Sequence, residues 1–153
     1  KLKISASCAT AWSTRASHPN RDYPMPHITV EYSSNLDQRI PMRDVIAGIH
    51  AAVLASGAFE KGGVRTRAIS QDLYVVADGD PDNSFIHVDM RIAPGRSAET
   101  KKQVSQSILE VLREHTKEVM KQYGLGISIE IRELDQTASL KLNNLHERLK
   151  AKS

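Results

Sequence analysis

Apolar and polar positions alternate from His27 to Tyr32, with Ile28, Val30 and Tyr32 on one face, which is the period of a half-buried strand. Beyond the polar turn residues Asn35 and Asp37 the period lengthens. Pro41 stands where a first helical residue belongs, and Val45, Ile46, Ile49, Ala52 and Val53 recur at helical spacing until Gly57. Gly62 and Gly63 close the connection. Val64 to Val76 then predicts a second extended segment, ended by the turn residues Ala77, Asp78, Gly79, Asp80 and Pro81.

The same order returns. From Phe85 to Ile92 the residues Ile86, Val88, Met90 and Ile92 alternate with Phe85, His87, Asp89 and Arg91, a strand with one apolar face. Pro94 and Gly95 break it, Ser97 is a good N-cap with Glu99 in the first turn, and Val104, Ile108, Val111, Leu112, His115 and Val119 mark a long amphipathic helix that stops at Gly124. Ile127, Ile129 and Ile131 predict a last strand. Two β-α-β units with right-handed crossovers give an α+β fold, a four-stranded sheet with both helices on one face. The tail beyond Thr137, with Leu142, Leu145 and Leu149, is expected to end in a short helix. Ile28, Val30, Ile86, Val88, Ile127 and Ile129 supply more apolar strand surface than one helix layer buries. The opposite face is therefore expected to be apolar and covered by other subunits.

Residues 1–25 show no such period. They are rich in Ser, Ala, Thr and Arg, and they read as a disordered leader ahead of a domain at 26–153. Upstream sequence before a start at Met25 is one account of them. A presequence is the other, supported by basic, Ser-rich, acid-poor composition but not by an apolar face. Of the 21 basic and 18 acidic residues in the 153-residue chain, four and one fall in this leader, so it carries the whole net charge of +3. The domain is neutral overall, and charge gives no argument for nucleic acid. No run approaches the roughly 18 apolar residues of a membrane span. A composition of 40% hydrophobic and 25% charged residues fits one globular domain. The single Cys, Cys8, excludes an intrachain disulfide and a cysteine metal cluster, and a reducing, cytoplasmic setting is expected.

The six His are scattered without metal-ligand spacing, and His115, on the apolar stripe of its helix, is expected to be a hydrogen-bonded packing residue. Neither a phosphate-binding Gly loop nor a Gly-x-Ser-x-Gly elbow is present. Met25-Pro26 at the head of the first strand offers different chemistry. If translation starts at Met25 and the Met is removed, Pro26 becomes a secondary amine able to take and return protons; otherwise it only opens a strand. Arg65 and Arg67 enter the second strand, and Arg96 lies in the turn before a helix. Guanidinium forks at turns suit carboxylates, although solvated surface Arg is the plain alternative.

Pro26-His27 with Val30-Glu31, Gly63-Val64-Arg65-Thr66-Arg67, Ala77-Asp78-Gly79, Phe85-Ile86-His87, Gly95-Arg96-Ser97, Glu130 to Leu134 and Lys141-Leu142-Asn143-Asn144-Leu145-His146 form an ordered series. The series resembles the 5-carboxymethyl-2-hydroxymuconate isomerases of the tautomerase superfamily over essentially all of 26–153. The resemblance implies a trimer or hexamer, with a homotrimer expected here, and a cofactor-independent isomerase in aromatic (homoprotocatechuate) catabolism. It also implies an unsaturated di- or tricarboxylate substrate and a catalytic amino-terminal proline. Carried onto this chain, Pro26, Arg65 and Arg96 are the catalytic residues, and Arg65, Arg67, Arg96 and Phe85 bind substrate, with Phe85 or Tyr74 as an apolar wall. With residues 1–25 attached the Pro26 nitrogen is acylated and the chain should be inactive, leaving a non-enzymatic trimeric module as the rival. A phenylpyruvate-type tautomerase is a third reading.

Overall fold

The computed structural model describes residues 25–135, 137 and 139–152; of the expected leader, all but Met25 lies outside the described residues. Strand β1 (His27–Ser33) leads through a 3-10 turn at Ser34–Leu36 to helix α1 (Met42–Ala55), and the chain returns as β2 (Arg65–Gln71). The second unit is β3 (Ser84–Ile92), α2 (Ala98–Thr116), the short α3 (Val119–Gln122) and β4 (Leu125–Glu133), followed by α4 (Leu145–Lys150). The sheet order is β2-β1-β3-β4. β1 is parallel to β2, β3 is parallel to β4, and the two units meet antiparallel at β1 and β3. Among the described residues no helix is long and apolar enough to cross a membrane.

Period-two and period-3.6 patterns meet in one core. Val45, Ile49 and Val53 of α1 and Val104, Ile108 and Leu112 of α2 are buried against Ile28, Val30, Ile86, Val88 and Met90. Ile127, Ile129 and Ile131 of β4 are only partly buried, because β4 is an edge strand. Ser97 caps α2 by accepting the Thr100 N–H at 3.1 Å. The expected run to Gly124 is interrupted after Thr116, whose buried hydroxyl donates to the Leu112 carbonyl at 2.8 Å, a back-bond that loosens the last turn. His115 is the packing residue expected, its Nδ1 2.8 Å from the Val111 carbonyl.

Register corrects the expectation of a bare apolar face. Ile28 lies opposite Met90, Val30 opposite Val88, Ile86 opposite Ile127 and Val88 opposite Ile129, so every apolar strand residue invoked for that face shares the helix side. The open face is polar. Its first row is Arg65, His27, Arg91 and Arg132 across four strands, and its second is Arg67, Thr29, Asp89 and Glu130.

The second extended segment also ends sooner than its apolar residues predict. β2 stops at Gln71, and residues 72–83 form turns in which Asp82 N–H bonds Asp80 Oδ1 at 2.8 Å and Gly79 N–H bonds the Val76 carbonyl at 3.0 Å. Leu73 and Val75 are 96% and 83% exposed, so nothing among the described residues holds them as a strand.

Candidate active site

The topology gathers one end of the sheet. The start of β1, the start of β2, the end of β3 and the end of β4 lie together, and with them the loops 56–64 and 93–97 and the tail beyond β4. Pro26 is buried there at the head of β1, its carbonyl accepting the Arg65 N–H at 3.0 Å. The Arg65 guanidinium is turned back by a 2.7 Å bond from Nη1 to the Gly63 carbonyl. Arg96 leaves the sheet at a sharp turn made by Gly95, whose φ of 104° favours glycine. Its Nη2 donates to the Ala58 carbonyl at 3.3 Å, and the guanidinium carbon stands 5.1 Å from the centre of the Phe59 ring.

Charge at this end is lopsided. Like charges side by side on a sheet are unfavourable, yet three Arg and a His share the first row of the open face. Asp89 compensates the β4 side, 2.9 Å from Arg132 and 3.8 Å from Arg91. Among the described residues no carboxylate lies in ion-pair distance of Arg65, Arg67 or Arg96. His27 reports the excess: burial first, then the charges of Arg65, Arg67, Arg91 and Lys141, hold its pKa below the ordinary value. An entering polycarboxylate would relieve the crowding, while a cation would aggravate it.

Phe85 is elsewhere. It is the second residue of β3, and Ile92 ends that strand at the Pro26 end, so at about 3.3 Å per residue the two residues are about 23 Å apart. Phe85 meets Tyr74 edge-on, with ring centres 6.1 Å apart. A cleft of about 530 Å³ opens at that far end beside Asn35, Gln38, Asp72, Tyr74 and Asp80. Its charged walls are acidic, which suits it poorly to a polyanion. The structure thus brings Pro26, Arg65 and Arg96 to one end, with Arg67 in the next row of the open face, and does not bring Phe85 to them within one chain.

The family model for 5-carboxymethyl-2-hydroxymuconate isomerase matches residues 26–149, starting at Pro26. The chain belongs to the 5-carboxymethyl-2-hydroxymuconate isomerase family. It is 33% identical over 122 residues to the 5-carboxymethyl-2-hydroxymuconate Delta-isomerase of Escherichia coli, a match covering 80% of this chain and 97% of that one. A 5-carboxymethyl-2-hydroxymuconate isomerase structure from Deinococcus radiodurans R1 is 34% identical, covers 83% of this chain and 96% of its own, and superposes with a TM-score of 0.78. At 15% identity, a fused 4-OT symmetric trimer shares the fold alone, with a TM-score of 0.55 over 77% of this chain and 92% of its own.

Within this 5-carboxymethyl-2-hydroxymuconate isomerase family member, His27 and Lys141 stand in the motif series without an expected site role, and Arg91 stands outside it. The alternation of β1 and β3 already put His27 and Arg91 on the polar side of their strands. Only the pairing of those strands makes them neighbours, and Lys141 arrives from a tail more than 100 residues away in sequence.

Proposed function

We propose that the chain with Pro26 as its first residue catalyses cofactor-independent isomerisation of 5-carboxymethyl-2-hydroxymuconate to the 2-oxo-3-ene isomer, the activity named for the Escherichia coli relative. The observation that carries this is the buried Pro26 at the same end of the sheet as Arg65 and Arg96, whose guanidinium groups have no carboxylate partner among the described residues. The neutral proline amine removes the proton from the 2-hydroxyl. Electron density moves along the diene, and the same nitrogen, now cationic, delivers that proton to the distal carbon. The product is an isomer, so no other reactant is needed. For the amine to be a base near neutral pH its pKa must fall. Burial and the cationic surroundings that depress His27, the next residue, act on it in the same direction.

Arg96 grips a substrate carboxylate and Arg65 stabilises negative charge developing at the 2-oxo end, while Arg67 adds to carboxylate binding. Phe85 or Tyr74 forms the apolar wall only as a residue of another subunit, since both lie far from Pro26 in their own chain. A homotrimer would allow this, and the fused 4-OT structure that shares the fold is a symmetric trimer. The single Cys of the chain fits a cytoplasmic setting.

Ultraviolet absorbance follows ketonisation of 5-carboxymethyl-2-hydroxymuconate. Protein shown by intact mass to begin at Pro26 should turn it over. Protein retaining Met25 should lose roughly 10²- to 10⁴-fold in rate, the usual worth of a general base. Arg65→Ala and Arg96→Ala should each lose about tenfold or more in kcat/KM. Full activity with Met25 retained would overturn the proline assignment, and wild-type kinetics in both arginine variants would return them to solvated surface.

A further inference from the structure

Both candidate arginines hang on one short loop. Arg65 donates to the Gly63 carbonyl at 2.7 Å, Arg96 to the Ala58 carbonyl at 3.3 Å, and Arg96 also stands over Phe59. The segment 58–63 therefore sets where two guanidinium groups point.

That loop is held from outside by the C-terminal segment. Asn143 Nδ2 donates to the Gly62 carbonyl at 3.3 Å, and His146 Nδ1 lies 3.2 Å from Glu60 Oε2. The His146 ring sits so close to Gly62 that a Cβ there would stand 2.8 to 3.0 Å from three of its atoms. Gly62 has no positive φ, so glycine serves close approach here rather than a turn. The His146 side chain is 11% exposed although its partner Glu60 is 55% exposed. A polar contact with one exposed partner contributes little to stability, and an imidazole buried against a glycine backbone fixes position more than it adds free energy.

We propose that Asn143 and His146 are positioning residues, which brace the loop 58–63 and through its carbonyls fix the Arg65 and Arg96 guanidinium groups against the substrate. The inference rests on the arginine roles proposed above. Neither residue has to touch substrate to matter, because displacing a catalytic group by about 1 Å can cost on the order of 10²-fold in rate. Removing the brace leaves the core intact, since the buried cluster is drawn from residues 28–119 and contains nothing from the C-terminal segment.

Two readouts test it in the full chain and in protein beginning at Pro26. The first needs no substrate: amide exchange at Gly63, whose N–H donates to the Glu60 carbonyl at 2.9 Å, together with the side-chain Nε resonances of Arg65 and Arg96. In His146→Ala, exchange at Gly63 should rise about tenfold or more and both arginine signals should broaden or shift, while Val30 and Val88 keep wild-type protection. Asn143→Ala, which removes one hydrogen bond, should move the same signals less. The second readout is ketonisation, where His146→Ala should lose about tenfold in kcat/KM, largely through KM, and His146→Asn, which restores an amide near the Nδ1 position, should recover most of it. Unchanged exchange at Gly63 and unchanged arginine signals in His146→Ala overturn the brace. Altered signals with wild-type kinetics in a protein that turns over substrate overturn the positioning role and leave the proline and arginine reading standing. If unmutated protein beginning at Pro26 turns over no substrate, that reading has failed and the first readout alone decides the brace.

Discussion

Burial first, and then the charges of Arg65, Arg67, Arg91 and Lys141, disfavour the protonated ring of His27, so its folded pKa lies below the ordinary 6.5. The sign of the consequence is fixed. As pH falls through about 6.5 the unfolded chain takes up the proton while the folded chain resists, so the unfolded state binds more protons. The stability tied to neutral His27 is fully present above that pH and is lost as pH falls below it. His27→Asn removes the linkage. The thermal midpoint, followed from about pH 8 to about pH 5, should therefore fall less steeply in the variant than in the parent, and parallel profiles would show that the ring does not sense these charges. At this scale the positions of Arg65 and Arg96 were legible, because Arg96 directly follows Gly95 and Arg65 comes two residues after Gly63, each at a turn bounding a strand. The crowd around His27 was not, since Arg65, Arg91 and Lys141 come from three separated segments that only strand pairing and the returning tail assemble.

Among elements, α2 shows how local signals and site geometry meet. Ser97 follows Arg96 directly, and its Oγ accepts the Thr100 N–H and lies 2.9 Å from Thr100 Oγ1. Ser97→Ala should lower the free energy of unfolding by about 1 kcal/mol in urea denaturation, the usual worth of an N-cap. An unchanged midpoint would mean that Thr100 or water replaces the cap fully. Strands and helices were legible because alternation in β1 and β3 and the helical stripes of α1 and α2 belong to single segments. Two features were not. Leu73 and Val75 mimic a strand through β propensity, yet they find no partner among the described residues. Alternation also says which residues share a face along one strand, but not that Ile28, Val88 and Ile129 all turn to the same side of the sheet. Nor could it show that Phe85 lies near the start of β3, at the end away from Pro26.

The whole molecule still presents surface that one chain leaves uncovered, although not where the apolar pattern first placed it. The open sheet face is charged, whereas apolar exposure is concentrated at Leu73 and Val75 after β2 and at Leu140 and Leu142 after β4. A groove of about 330 Å³ between α2 and β4 adds Leu109, Ile127 and Ile129. β2 and β4 are also edge strands with unpaired backbone groups, which a head-to-tail ring of copies would cover and a monomer leaves to water. Because such a ring places different patches of neighbouring subunits together, it also offers a route by which Phe85 or Tyr74 reaches a Pro26. Light scattering at micromolar concentration should therefore give a mass of three chains for protein beginning at Pro26, and Leu73→Ser with Val75→Ser should lower that mass without loss of secondary structure. Activity should fall with the trimer. A stable single-chain mass in the unmutated protein, accompanied by full ketonisation activity, would contradict both the assembly and the shared pocket, and would leave Pro26, Arg65 and Arg96 to do the chemistry within one subunit.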